Sequence, residues 1–284
     1  MSPAGNPTRA VILGGGGVTG IAWEIGVIAG LREAGVDLGV ADELFGTSAG
    51  AFAAALIASA QDIEKKYAAQ FEPDPSEVLA QMSPEVMRKY ADAVKANYGQ
   101  AIPLAKAYAA IARTAETIST QVRSGVVRAR LGIDSWPNDR LHFTAIDADS
   151  GELVVLNSTS GLTLIEAASA TGAVPGLWPM VTAGGRSWID GGMISAANVQ
   201  LGEGFDRVIV IAPSAISMNG FDDVEAAAAK LRDKSDVVVI IPDAPTQEAI
   251  GPNVFDPTRR GAAAEAGRRQ ASEATADVLN RWIG

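Results

Sequence analysis

The sequence holds no cysteine and a single histidine, His142. Without thiols there is no disulfide framework, zinc–thiolate site, iron–sulfur cluster or cysteine nucleophile. A zinc site would have to combine His142 with carboxylates, an uncommon set, so no metal and no cofactor are expected. A cysteine-free chain fits a reducing compartment, and the cytoplasm is the expected location. Positive charge is also short: 23 Lys and Arg stand against 33 Asp and Glu, a formal net charge of −10. That balance gives no whole-molecule attraction to nucleic acid or to an anionic membrane, and no nucleic-acid partner is expected. A basic cluster at Arg259, Arg260, Arg268 and Arg269 reads as a solvated helix face. What is present is a globular composition, 48% hydrophobic and 20% charged over 284 residues. A chain of that length buries a core without staples.

Long uninterrupted apolar runs are also missing. Val11 to Leu31 comes nearest, but Gly14, Gly15, Gly16 and Gly17 occupy its first half. Each glycine costs a helix about 1 kcal/mol against alanine, so a single spanning helix is not expected. The opening MSPAGNPTRA is too poor in charge for a secretory leader. Arg9 to Leu13 reads instead as a buried strand, Val18 to Ala34 as a helix closed by Gly35, Leu44-Phe45 as a second strand and Ala51 to Ala60 as a helix of small residues. This alternation predicts an α/β fold: three layers, α/β/α, around a mostly parallel sheet. Residues 61–135 read as a helical insertion, in which Leu104, Tyr108, Ile111, Ala115, Ile118 and Val122 mark one face of an amphipathic helix. Beyond it, Leu141 to Asp147 and Glu152 to Asn157 form a hairpin, Leu164 to Thr171 a short helix, and Arg207 to Ala212 and Asp236 to Ile241 interior strands. Arg259 to Trp282 is a last helix. No linker separates domains, so residues 1–284 are read as one domain carrying the insertion.

Three motifs bear on chemistry. Gly46-Thr47-Ser48-Ala49-Gly50 is a G-x-S-x-G sequence between a strand and a small-residue helix. On such a turn the serine is strained and exposed, and flanking side chains would clash. The plainer alternative is a glycine turn with a capping serine. Gly14 to Gly20 is a glycine loop between a strand and a helix. It fits a dinucleotide phosphate site, an oxyanion hole built of backbone N–H groups, or a structural turn. The third is Asp190-Gly191-Gly192. His142 lies inside a strand pattern and reads as structural, which leaves a carboxylate as the candidate base for Ser48. Asp190 ends a strand, and burial would raise its pKa from the ordinary value near ~3.9. A tight turn is the alternative for this segment.

Taken in order, the glycine loop, GTSAG and DGG resemble the patatin-like phospholipase family. The resemblance extends to EAASATGAVPGLWP at 166–179, to Thr144-Ala145-Ile146-Asp147 with Gly151, and to Asn198, eight residues past Asp190. It implies a three-layer fold and a Ser-Asp dyad that hydrolyses acyl-lipid esters. Ser48 is then the nucleophile and Asp190 the base. The N–H groups of Gly15, Gly16, Gly17 and Val18 form the oxyanion hole, and Gly20, Gly46, Gly50, Gly191 and Gly192 complete the motifs. The expected partners are an acyl-lipid or ester substrate and a transient membrane surface. Acyl transfer on the same dyad, or a non-catalytic nucleotide- or lipid-binding protein, are the alternatives. One position departs from the family pattern: Thr19 stands where Arg or Lys is usual before Gly20, which puts in doubt any charge contact from that side chain to a substrate phosphate or a loop carbonyl, while a hole built of backbone groups is expected to survive.

Overall fold

The computed structural model describes residues 7–283. The reading of residues 1–6 as lacking a leader lies outside them. In chain order the elements are β1 (Arg9–Leu13), α1 (Gly17–Glu33), β2 (Glu43–Thr47), α2 (Ala49–Ala58), α3 (Ile63–Ala68), α4 (Pro84–Ala96), α5 (Ala101–Thr114) and α6 (Thr120–Leu131). There follow β3 (Leu141–Asp147), β4 (Leu153–Leu156), α7 (Leu164–Thr171), β5 (Val181–Ala183), β6 (Arg186–Asp190), β7 (Arg207–Ile211), α8 (Val224–Leu231), β8 (Asp236–Ile240), α9 (Ala244–Ile250) and α10 (Arg260–Val278).

The expected α/β architecture is present. The strands pair along β5-β6-β3-β2-β1-β7-β8, with β4 also on β3. Pairs β3-β2, β2-β1, β1-β7 and β7-β8 are parallel, and only the hairpin region around β3, β4, β5 and β6 is antiparallel. β1 and β7 are apolar almost throughout because both faces are covered by helices. β8, read from sequence as interior, ends the sheet. It keeps an apolar run because the helices still cover its faces, leaving Val237, Val238 and Ile240 buried.

The hydrophobic Val11–Leu31 stretch is explained by α1. Every residue from Val18 to Leu31 is buried, which is how a helix apolar on all sides is accommodated in a soluble core. Its close partner is α10. A Cβ at Gly26 would lie 2.0 Å from the Ala264 carbonyl oxygen, and one at Gly267 would lie 2.2 Å from the Trp23 carbonyl oxygen. Glycine is required at both because backbone meets backbone there. Among the described residues no helix is long and apolar enough to cross a membrane.

Three expectations need correction. The stripe from Leu104 to Val122 is not one helix face. α5 ends at Thr114, a new helix starts at Thr120 under the Ser119 cap, and Val122 is exposed. The intact part of the stripe, Leu104, Tyr108 and Ile111, packs with Ile146, Ala148 and Ile189 as a second core. The basic cluster is a solvated face only in part, since Arg268 and Arg269 form surface ion pairs while Arg260 is buried. Arg268 pairs with Glu33 and Glu64, Arg269 with Asp243 and Glu273, and buried Arg260 donates to the Ala69 carbonyl. Thr19 is fully buried, and its N–H and hydroxyl both donate to the Val254 carbonyl, at 3.1 and 3.2 Å. The neutral threonine makes no charge contact at this position and instead binds a loop carbonyl.

Candidate active site

Ser48 and Asp190 are brought to neighbouring positions by strand register. β4 occupies one edge of β3 from Phe143 to Ile146. Each β3 residue has only two edges, so β2 and β6 must share the other. β2 holds it as far as Thr144, opposite Thr47, and β6 takes over at Ala145, opposite Asp190. The parallel strand that leads into Ser48 therefore ends where the antiparallel strand bearing Asp190 begins.

Ser48 sits at that junction with φ 52° and ψ −112°, one of three described non-glycine residues with positive φ. A left-handed serine is strained, and such strain persists only where neighbours over-determine it. Here they do. The Ser48 N–H donates to the Thr171 hydroxyl at 2.8 Å. The Gly50 N–H donates to the Gly14 carbonyl at 2.9 Å. A Cβ at Gly46 would come within 2.5 Å of the Ala51 Cα, and one at Gly50 within 2.1 Å of the Leu13 carbonyl oxygen. The two flanking glycines thus let α2 pack against the ends of β1 and β2.

Asp190 is buried, and its carboxyl pKa is pushed up to about 6 by desolvation. The neighbouring Ser48 hydroxyl, the Gly192 N–H, which donates to the carboxylate at 2.7 Å, and the charge of Arg123 act in the opposite direction. Below the pair lies a buried polar knot. The Asn198 amide donates to the Thr47 hydroxyl at 3.1 Å and to the Gly191 carbonyl at 3.1 Å, and the Thr47 and Thr144 hydroxyls are 2.8 Å apart. One asparagine therefore ties the end of β2, β3 and the Asp190-Gly191-Gly192 turn into a single unit. Gly191 is needed because a Cβ there would meet the Thr144 carbonyl oxygen at 2.3 Å.

The glycine loop lies against the serine: a Cβ on Gly15 would be 3.3 Å from the Ser48 Cβ. Gly15 departs from the expectation in one respect. Its N–H donates to the Ala196 carbonyl at 2.7 Å, so it is already spent. Among the described residues no backbone acceptor engages the N–H groups of Gly16, Gly17 or Val18, while those of Thr19 and Gly20 go to Val254 and Gly16. Gly17 and Val18 open α1, where unpaired N–H groups and the helix dipole favour negative charge. Gly17, with φ +64°, also passes so close to Val254 that a Cβ would sit 2.5 Å from its carbonyl oxygen. Gly20 packs on Pro213.

His142 is remote from this constellation. It lies across β2 from the serine turn, stacked on Phe45, with Nε2 on the Glu43 carboxylate. No group of residues suited to holding a metal ion occurs among the described residues.

Three contributors escaped sequence reading. Thr171 and Thr47 are ordinary threonines at the ends of elements, and nothing in a single sequence separates them from others. Arg123 is the third. It occupies the apolar face of α6 with Val126, Val127 and Leu131. A charged residue at a core-facing position is a signal available to periodicity, but the face was read across the wrong helix boundary.

A family model for patatin-like phospholipase matches residues 11–201. No curated protein matches the chain. Among solved structures, VipD from Legionella pneumophila is similar over 96% of this chain and 67% of its own, with 16% identity and a TM-score of 0.47. ExoU from the type III secretion system of Pseudomonas aeruginosa, solved in complex with SpcU, is similar over 95% of this chain, with 16% identity and a TM-score of 0.42. The chain spans about half of ExoU's length, 53%. The family match runs from β1 past the Asp190 turn and covers well over half of the sequence, and the chain belongs to the patatin-like phospholipase family.

Proposed function

We propose that this chain is a serine acyl-ester hydrolase acting on lipid esters, of phospholipase A or lysophospholipase type, through Ser48 and Asp190. The observation that carries the reading is the strained Ser48 at the β2–α2 turn, beside a buried Asp190 carboxyl raised to about 6. At neutral pH that carboxyl is ionised yet more basic than an ordinary aspartate, which suits a general base. The Ser48 oxygen attacks the ester carbonyl as its proton passes to Asp190. Negative charge on the carbonyl oxygen falls to the N–H groups of Gly16, Gly17 and Val18, which need no reorganisation to receive it. Asp190 returns the proton to the departing alcohol. It then takes one from the water that opens the acyl-serine, and the acid leaves with Ser48 restored.

An apolar groove of about 1260 Å³, open to solvent, supports a long acyl substrate. Tyr90, Tyr108, Ile194, Ile216 and Met218 line it, and it reaches Gly192, whose N–H holds Asp190. Ile216 and Met218 are among the most exposed large apolar side chains, which supports transient contact with a lipid surface. The cysteine-free sequence supports a cytoplasmic location.

The test is labelling with a fluorophosphonate. Ser48 is expected to carry the label, and Ser48→Ala to lose both label and ester turnover. Recovery of the label on another serine would overturn the assignment.

A further inference from the structure

The helical segment 61–135 delivers to the serine cavity a cation whose hydrogen-bonding capacity is unspent. Arg123 is 5% exposed, and its Nε and Nη1 atoms are buried without any hydrogen-bond partner. Its guanidinium lies over the Trp178 indole, 4.2 Å from the ring centroid, which fixes its plane but uses none of its N–H groups. The other cation nearby is satisfied: Arg130 grips both carboxylate oxygens of Glu77. Asp190 acts on Arg123 only through charge. Leaving a guanidinium dry and unpaired is costly, and replacing it with an apolar residue would remove that cost. The arginine is therefore placed for a partner that arrives.

The place where that partner would sit is defined. Arg123, Trp178, Ser48, Gly17, Val18 and Phe255 line one narrow cleft with room for about 20 Å³ as it stands, so a substrate group must part its walls to enter. An ester carbonyl at Ser48 would put the rest of the substrate within the same walls. We propose that Arg123 is a specificity residue that binds an anionic oxygen group of the substrate, a phosphate or a carboxylate, beside the ester being cleaved. Guanidinium forks match both groups, and the free Nε and Nη atoms supply parallel donors. The proposal rests on the hydrolase reading above.

The test uses three hexanoate esters that differ only in the alcohol: hexanoylglycerol, hexanoylglycerol 3-phosphate and hexanoylglycerate. Rates are compared for the wild type, Arg123→Gln and Arg123→Lys at pH 8, where Asp190 is ionised. The wild type is expected to prefer one of the anionic esters, and which one identifies the source of the oxyanion. Arg123→Gln should lower kcat/KM for that ester about 10- to 100-fold more than for hexanoylglycerol, mainly through KM, with partial recovery in Arg123→Lys. Any effect of Arg123 on Asp190 is common to the three substrates and cancels in the ratio. Equal losses on all three esters, or a wild type without preference, would overturn the proposal. Should Arg123→Gln not fold, competitive inhibition of wild-type hexanoylglycerol turnover by hexyl phosphate but not by hexanol decides the matter in the same direction. If no ester is turned over, the hydrolase reading fails by itself. Calorimetric binding of hexyl phosphate, lost in Arg123→Lys or Arg123→Gln, then still supports the anion site, and no binding refutes it.

Discussion

Asp190→Asn is expected to make the protein more stable at neutral pH while removing its turnover. The carboxyl titrates near 3.8 in an unfolded chain and at about 6 in the folded one. A raised carboxyl pKa means that the native state holds a proton which the unfolded state has released between those two values. Stability attributable to Asp190 therefore falls as pH rises through that window and stays low above it. The difference of about two units corresponds to ~3 kcal/mol at pH 7.5. The attraction of Arg123 is already inside that balance, because it is one of the effects that set the shifted value. Asparagine has nearly the same shape, offers the Gly192 N–H an acceptor and carries no charge to desolvate. Denaturant unfolding followed by tryptophan fluorescence, at pH 4 and 7.5, measures the difference. The variant should gain ~2–3 kcal/mol over wild type at pH 7.5 and little at pH 4. Glu24, also buried and raised by desolvation, is present in both proteins and cancels. Turnover should fall by about 10²–10⁴ in the same variant, and the wild-type kcat/KM should lose activity as pH drops through about 6. A variant equal to or weaker than wild type at pH 7.5 would refute the argument that a desolvated charge sits at position 190.

Gly50→Ala places a Cβ 2.1 Å from the Leu13 carbonyl oxygen and presses on the loop that Gly50 itself holds through Gly14. It should cost about 1–3 kcal/mol and lower ester turnover roughly 10²-fold, checked by unfolding and rate together. Thr19→Arg would force a cation into a site that is fully buried beneath Val254, so a loss of about 3 kcal/mol or more is expected in a melting experiment, with no gain on phospholipid. His142→Gln should keep most of the turnover measured with a short ester, because the ring contacts Phe45 and Glu43 and not the dyad.

The fold was legible where one residue type repeated with a clear period. The apolar runs of β1, β7 and β8, the buried α1 and the Thr163-capped α7 all follow from local pattern and punctuation. The boundary at 115–119 was not, because Ala115 and Ile118 continue the apolar spacing while Ala115 turns extended and Ser119 starts a new cap. Motif order, together with the family resemblance, singled out Ser48 and Asp190 as candidates. It did not show how they meet, since the sharing of one β3 edge by β2 and β6 is a matter of register between segments far apart in the chain, Thr47 with Thr144 and Ala145 with Asp190. Arg123 lay beyond reach for a related reason: its significance depends on Trp178 and on the absence of a carboxylate partner, both properties of the assembled cavity.

The costly features of this molecule are concentrated around one point. Ser48 is held in a left-handed conformation, Asp190 and Arg123 are dehydrated, and Glu24 is buried on α1 with neither carboxyl oxygen hydrogen-bonded. Each is a local loss of order 1–3 kcal/mol, and none would persist in a loose structure. What holds them is packing of a kind that tolerates no extra atom. Gly26 and Gly267 bring the backbones of α1 and α10 into contact, Gly50 meets β1, and Gly191 meets β3. Because α1 begins at the loop whose N–H groups face the serine cavity, the α1–α10 contact fixes those groups as well as the core. Stability and chemistry are therefore coupled through a single helix. A small side chain introduced at Gly26, some nine residues from the loop, would displace the loop N–H groups beside Ser48 by the same movement that relieves its clash with Ala264.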